Sequence, residues 1–221
     1  MLKKIITTTL LSATALFSIN GHSDLKPFQE TYIVSIPSFP DFEVSHVLSN
    51  RENTNNWEIE LSGNVFFGQF SVSEKTVLSY LHGDIIPIIN TTVYETPFNY
   101  KKNVLTSDNL SMHIDRQSLF IQLSNLSKNN ECIEDSCSIT YFDHKSKKRE
   151  ITFNIENKGT ILYKNKEIPL NIISGVQDER DVFIALNPEY SGMLLFMSVD
   201  GEYSIINNNV DNKDIEKYLD K

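Results

Sequence analysis

Asp108-Asn109-Leu110-Ser111-Met112-His113-Ile114 opens the only long helical pattern in the chain, between two blocks of strand-like sequence. Asp108 has the short carboxylate that accepts from the orphan amides of a first helical turn, and Ser111 adds a hydroxyl there, so the pair reads as a helix cap. Leu110, Ile114 and Ile121 fall near one helical face, and Met112, Leu119, Phe120 and Leu123 widen it. Residues 108–126 contain no glycine or proline. A helix this apolar has to be covered, and the surrounding sequence offers only strands to cover it.

On the amino-terminal side, residues 28–36 alternate, with Phe28, Tyr32, Val34 and Ile36 on one face. Phe42, Val44, His46 and Leu48 alternate next, then Trp57, Ile59 and Leu61. Short polar links between these runs describe an antiparallel meander. Residues 72–81 and 85–94 are two further strands, with Pro87 marking an edge or a bulge. Residues 65–70 are apolar without a clean period, and residues 96–103 read as a loop feeding the helix.

Beyond the helix, strands are expected at residues 139–142, 151–155, 160–163, 168–173, 182–186, 193–199 and 203–206. Lys158-Gly159, Lys164-Asn165-Lys166 and Asp200-Gly201 supply turns, and residues 145–149 form a basic hairpin loop. Residues 211–221 can form a short terminal helix. The fold class is therefore mainly β: a single curved antiparallel sheet, or a half-open β-barrel of the carrier type. It has about ten strands and one inserted central helix.

Lys3 and Lys4 precede an apolar stretch over residues 5–19, and Gly21-His22-Ser23 offers small residues before a cut. Residues 1–23 thus read as a signal peptide, leaving a β-rich domain at 24–221 and a periplasmic or secreted protein. A retained membrane anchor is the alternative, for which the run is short and interrupted by Ser and Thr. No later segment is long and apolar enough to cross a membrane. The formal charge of −9, with no basic cluster beyond the hairpin loop, argues against a nucleic-acid partner. Cys132 and Cys137 are the two cysteines, and an even pair in an exported chain reads as a disulfide.

Several stretches resemble the domain-of-unknown-function 3108 family of exported bacterial proteins. They are Pro27-Phe28-Gln29-Glu30-Thr31-Tyr32-Ile33-Val34, Gly83-Asp84-Ile85-Ile86-Pro87, Asp108-Asn109-Leu110-Ser111, Tyr163-Lys164-Asn165-Lys166-Glu167-Ile168-Pro169-Leu170, and Val182-Phe183-Ile184-Ala185-Leu186-Asn187-Pro188-Glu189. The resemblance implies a strongly curved antiparallel sheet wrapped near a helix, similar in shape to periplasmic lipoprotein carriers, and it supplies no catalytic residues. Two departures stand out. The link between Tyr94 and Asp108 looks too short for a hairpin usual in the family, and Asn165 stands where a glycine is expected.

The five histidines, His22, His46, His82, His113 and His144, form no spaced pair and no Ser-His-Asp pattern. No catalytic, cofactor or metal site is read from the chain, and an enzyme is not expected. Two functions fit. In the first, the concave face encloses a lipid-like or other apolar small molecule, lined by Phe42, Trp57, Phe67, Phe70, Tyr80, Tyr94 and Phe153. In the second, a filled core leaves a cell-envelope module that holds a protein partner, through residues 96–103 or the loop at 187–192. Ligand, partner and oligomeric state are not encoded in any motif.

Overall fold

The computed structural model describes residues 25–51, 54–65, 68–81, 83–110, 113–211, 213 and 215–216. The expected signal peptide and most of the terminal helix lie outside the described residues. Phe28–Ser35 (β1), Phe42–Asn50 (β2), Asn56–Val65 (β3), Phe70–Leu81 (β4), Asp84–Thr96 (β5) and Asn99–Thr106 (β6) run up one half of the fold. A four-residue helix, Ser107–Leu110 (α1), a two-residue strand, Ile114–Asp115 (β7), and the main helix, Arg116–Lys128 (α2), follow. Cys137–Phe142 (β8), Lys148–Tyr163 (β9), Lys166–Gln177 (β10), Arg180–Leu186 (β11), Leu194–Val199 (β12) and Tyr203–Asn207 (β13) return along the other half.

All thirteen strands belong to one open, curved sheet in the order β6-β5-β4-β3-β2-β1-β13-β12-β11-β10-β9-β8-β7. Two meanders are therefore joined where β13 pairs with β1, with Tyr32 opposite Asn207. Every pairing is antiparallel except that of β7 with β8. Curvature brings the ends round until β5 approaches β7, and α2 lies against β4, β5, β7 and β8. Mainly β architecture with an inserted helix is what the alternation predicts. The strands not expected are β6 and β7, both short of apolar alternation, while the runs at 151–155 and 160–163 merge into β9.

Turn chemistry follows local residue type. Lys164 and Asn165 are both left-handed, at φ 51° and 61°, between strands that end at 163 and resume at 166. That is the two-residue hairpin whose twist matches the strands, and Asn tolerates it. Asp200 and Gly201 turn the β12–β13 hairpin in the same region of φ. Pro87 pairs with Leu78 at a register shift that leaves Ile88 as an extra residue, so the missing amide falls at a bulge. Lys158-Gly159 does not turn the chain: β9 continues through it, and the Gly159 amide donates to Asn157 Oδ1. Residues 96–103, read as a loop, instead hold the turn and the first part of β6, which completes a hairpin with β5.

The interior of the curve is occupied by α2. Its residues Gln117, Ser118, Leu119, Phe120 and Ile121 are consecutive and all buried, so this half of the helix is enclosed on every side. Ile121 joins one apolar cluster with Leu48, Trp57, Ile59, Leu78, Leu170 and Phe196. Leu119, Phe120 and Leu123 join a second with Tyr32, Tyr141, Ile151, Phe153 and Ile184. Each of these side chains contributes about 1.5–3 kcal/mol on burial, which makes the helix a structural plug. The segment after β11 locks it. Gly192 donates to Ser124 Oγ at 2.9 Å, and Lys128 Nζ donates to Ser191 Oγ at 2.7 Å. The Asn187–Gly192 segment, expected as a surface loop, is thus largely packed inward, with Asn187 and Ser191 buried.

Cys132 and Cys137 are joined, with Cα atoms 5.5 Å apart, and the Cys132 carbonyl accepts from the Ile155 amide. The bridge therefore fastens the end of the α2–β8 link to β9.

Gly192 has a positive φ of 84°, and a Cβ placed there would lie 2.8 Å from Ile121 Cγ1. Gly192→Ala is expected to lose about 2–4 kcal/mol, from left-handed strain plus overpacking. Gly159→Ala, at positive φ in open space, is expected to lose about 1–2 kcal/mol from the backbone alone. Urea unfolding of the two variants checks both values, and equal losses would remove the role assigned to Ile121.

Candidate functional site

The expected helix cap is displaced. Asp108 lies in the first turn of α1, Ser111 is outside the described residues, and the N-cap of α2 is Asp115. Asp115 has the extended backbone of a cap, at φ −87° and ψ 172°. Its Oδ1 accepts from the amides of Gln117 at 2.9 Å and Ser118 at 3.2 Å, and its Oδ2 from Ser118 Oγ at 2.7 Å. The same Oδ1 accepts from Thr76 Oγ1 on β4 at 2.7 Å, and Asn90 Nδ2 on β5 lies at 3.5 Å. One carboxylate therefore starts the helix and fastens it to the far half of the sheet.

Around it is a polar cluster, buried at Glu74, Thr76, Asn90 and Gln117 and half-buried at Arg116 and His144. Asn90 Nδ2 also donates to Thr76 Oγ1 at 2.9 Å and to Glu74 Oε1 at 3.3 Å. Glu74 Oε2 accepts from Gln117 Nε2 at 3.2 Å and forms an ion pair with Arg116. Arg116 Nη1 lies 3.4 Å from His144 Nδ1, in the β8–β9 turn. Tyr94 Oη and Asn103 Nδ2 reach the His144 carbonyl from β5 and β6. Burial pushes the Asp115 carboxyl up, while donors from Ser118 and Thr76 oppose the shift. Burial, and then the Arg116 charge, push the His144 imidazole down. His46, on β2, is buried with its ring 5.1 Å from that of Phe28 and 5.9 Å from that of Tyr32. Burial pushes its imidazole down to about 4, so it is neutral at neutral pH.

A second buried carboxylate, Glu30 on β1, accepts from Tyr163 Oη and Lys164 Nζ at 2.7 Å each and from Asn209 Nδ2 at 2.8 Å. Burial alone would push its pKa up, but these donors win and hold the carboxyl below its usual range. It ties β1 to the β9–β10 turn and to the segment after β13. No motif in the sequence singled out Glu30, Glu74 or Asp115. The available signal was phase: Glu74 and Thr76 share a strand face with the core residues Leu78 and Tyr80.

The expected lining residues do not share one concavity. Trp57 and Tyr80 belong to one apolar cluster and Phe153 to the other, with Phe42 partly buried at the latter's margin. Tyr94 is half-buried beside the polar cluster, Phe70 is exposed, and Phe67 lies outside the described residues. What remains inside is a cavity of about 100 Å³ between α2 and the second apolar cluster. An open groove of about 900 Å³ runs between Asp84, Ile85 and Ile86 at the β4–β5 turn and the Gln122–Lys128 face of α2. Among the described residues no three His, Cys, Asp or Glu side chains converge to hold a metal ion. Likewise, no described helix is long and apolar enough to cross a membrane.

The outer edge is the other notable surface. β6 has no strand partner on its far side among the described residues. Its hairpin carries Phe98, which is 98% exposed, with Tyr100 and Val104 exposed along the strand. Ile86 and Ile88 of β5 are exposed as well.

No protein-family model matches the chain, and no curated protein matches it. Among solved structures, it is similar to the crystal structure of a beta-barrel-like protein of domain of unknown function DUF1849 from Brucella abortus. The identity is 8%, the likeness covers 85% of this chain and 98% of that one, and the TM-score is 0.43.

Asp115→Ala strips the helix of its cap and leaves the Thr76 hydroxyl proton without its acceptor, and is expected to cost about 2–4 kcal/mol in urea unfolding. Asp115→Asn keeps one acceptor and is expected to cost less. His46 yields a pH effect of definite sign. The unfolded chain binds a proton near pH 6.5 that the folded chain refuses until about pH 4. More protons on the unfolded side mean that stability falls as pH drops through this window. At pH 4.5 the loss from this residue is expected to be about 2–3 kcal/mol relative to pH 7. His46→Phe should flatten the profile by that amount, and an unchanged slope would refute the assignment.

Proposed function

We propose that the chain is an exported, non-enzymatic module of the cell envelope that holds a protein partner through its free β6 edge. The carrying observation is the β5–β6 hairpin: among the described residues β6 is paired on one side only, and Phe98, Tyr100 and Val104 are exposed on it. Long edge strands with apolar neighbours are hazards that folds usually blunt or cover. The covering partner suggested by chemistry is an extended segment that adds a strand to β6. Lys101 and Lys102 lie on this strand in a chain of net charge −9, so an acidic segment is favoured.

A lipid-like ligand inside the sheet has less support. Ligand sites of that kind usually enclose about 300–1,000 Å³. The interior space of about 100 Å³ is smaller, and α2 takes the volume an acyl chain would need. Export is supported by the Cys132–Cys137 bridge, which persists in oxidising compartments, and by the amino-terminal sequence. The resemblance to the domain-of-unknown-function 3108 family belongs to this same reading.

A photo-crosslinking residue at Tyr100 or Val104, expressed in the native host, tests the reading. One adduct of defined mass is expected from both positions and none from Val176, which is exposed on β10. The K101E/K102E variant should lose the adduct. An adduct with a second copy of the chain would replace the partner with self-association. No adduct from either position would sink the proposal.

A further inference from the structure

The hairpins of the first meander turn at alternate ends of the sheet, so the β1–β2, β3–β4 and β5–β6 turns share one rim. One rung of the ladder fixes their level. Val44 pairs with Gly63, Gly63 with Val72, Val72 with Tyr94, and Tyr94 with Lys101. All three turns lie a few residues beyond this rung, on the same side. Each brings a phenylalanine to the rim. Phe39 lies in the first turn, Phe70 opens β4 straight after the second, and Phe98 lies in the third. All three are exposed, at 53%, 43% and 98%. They are spread over six strands about 4.8 Å apart. A single exposed apolar side chain is ordinary, but three at successive turns of one rim mark a contact surface.

The same rim is divided by charge. The β8–β9 turn meets the β5–β6 hairpin, where the His144 carbonyl accepts from Tyr94 and Asn103. Lys145 and Lys147 of this turn and Lys148 after it are exposed, as are Lys101 and Lys102 on β6. Asp41, Glu43 and Glu95 lie along this arc too, fewer than the lysines. Acidic residues hold the opposite arc. Asp178 and Glu179 are exposed in the β10–β11 turn, and Asp200 and Glu202 beside the β12–β13 turn. Ser35 pairs with Ser204, which sets that last turn next to the β1–β2 turn. In a chain of net charge −9, the rim therefore gathers its lysines beside its phenylalanines.

We propose that this rim docks on the surface of an anionic lipid bilayer, with Phe98, Phe70 and Phe39 entering the headgroup layer and the β8–β9 lysines meeting lipid phosphates. The aromatic tips belong to separate turns at one level, which a plane meets together and a single peptide strand does not. Binding of this kind grows with apolar area buried at the acyl boundary. Each lysine near an anionic surface adds about a fivefold gain. The acidic arc is repelled, so the molecule sits tilted, with Glu202 held away from the lipid. This contact is made by turns and not by the β6 backbone, so either surface can fail without the other.

The test floats the whole protein with vesicles of equal parts phosphatidylglycerol and phosphatidylethanolamine, or of phosphatidylcholine alone. Co-flotation is expected with the anionic vesicles at low salt, with loss at high salt and little binding to phosphatidylcholine. K145E/K147E should weaken binding at least about tenfold, and F39S/F70S should weaken it several-fold. None of these substitutions touches β6. Residues 1–24 are the same in every variant, so binding through the amino-terminal apolar stretch would persist in all of them. Tryptophan quenching by brominated lipid gives a second measurement, since the native Trp57 is buried. Phe39→Trp should be quenched and Glu202→Trp should not, which decides the matter if F39S/F70S does not fold. No flotation with anionic vesicles, equal flotation with both kinds, binding unchanged in both double variants, or equal quenching at the two positions would overturn the proposal.

Discussion

Asp115 is the point at which the two ends of the sheet are held together. A thirteen-stranded sheet that curls without closing has two edges, and nothing in its hydrogen-bond ladder fixes how far apart they stand. Here the carboxylate that begins α2 also accepts from Thr76, two strands in from the β6 edge. Its neighbours Arg116 and Gln117 engage Glu74 on the same strand. The helix is thereby placed in the concavity at one depth and one rotation. Apolar burial alone would tolerate sliding, since the side chains of α2 meet hydrocarbon on both sides. Hydrogen bonds to a buried carboxylate do not, because any displacement leaves donors and charges unpaired. The polar cluster thus contributes specificity of closure, while the apolar clusters contribute most of the stabilisation.

The strands were readable because half-buried antiparallel strands leave a period of two in the sequence. β1, β2 and β3 bury the residues that the alternation puts on one face. β6 was missed for a physical reason: an edge strand buries almost nothing, so Asn99-Tyr100-Lys101-Lys102-Asn103 carries no such period. Gly159 misled in the opposite direction. A Lys-Gly pair between two apolar runs is ordinarily a turn, but β9 passes through it because β10 pairs with it on both sides of a register shift at Pro169/Asn171.

Helix placement failed more instructively. Asp108 has the local chemistry of a cap and stands before the longer apolar run. What selects Asp115 is the pair of donors on Thr76 and Asn90, remote in sequence, together with the parallel bridge that holds Ile114 and Asp115 beside Tyr141 and Phe142. Local propensity ranks candidate caps, and tertiary partners decide between them. The same holds for the aromatic residues proposed to line one hollow. Period shows that Trp57, Tyr80 and Phe153 point inward, and this is where they lie. It does not show what else points inward, and α2 separates the space into two filled clusters.

A filled interior changes where function can be sought. If α2 had lain outside the sheet, the concave face would be open and the aromatics would be its walls. With α2 inside, the same residues become core, and recognition is left to surfaces that the closure does not use. The β6 edge is one such surface, because the buckle engages β4 and β5 and leaves the last strand paired on a single side.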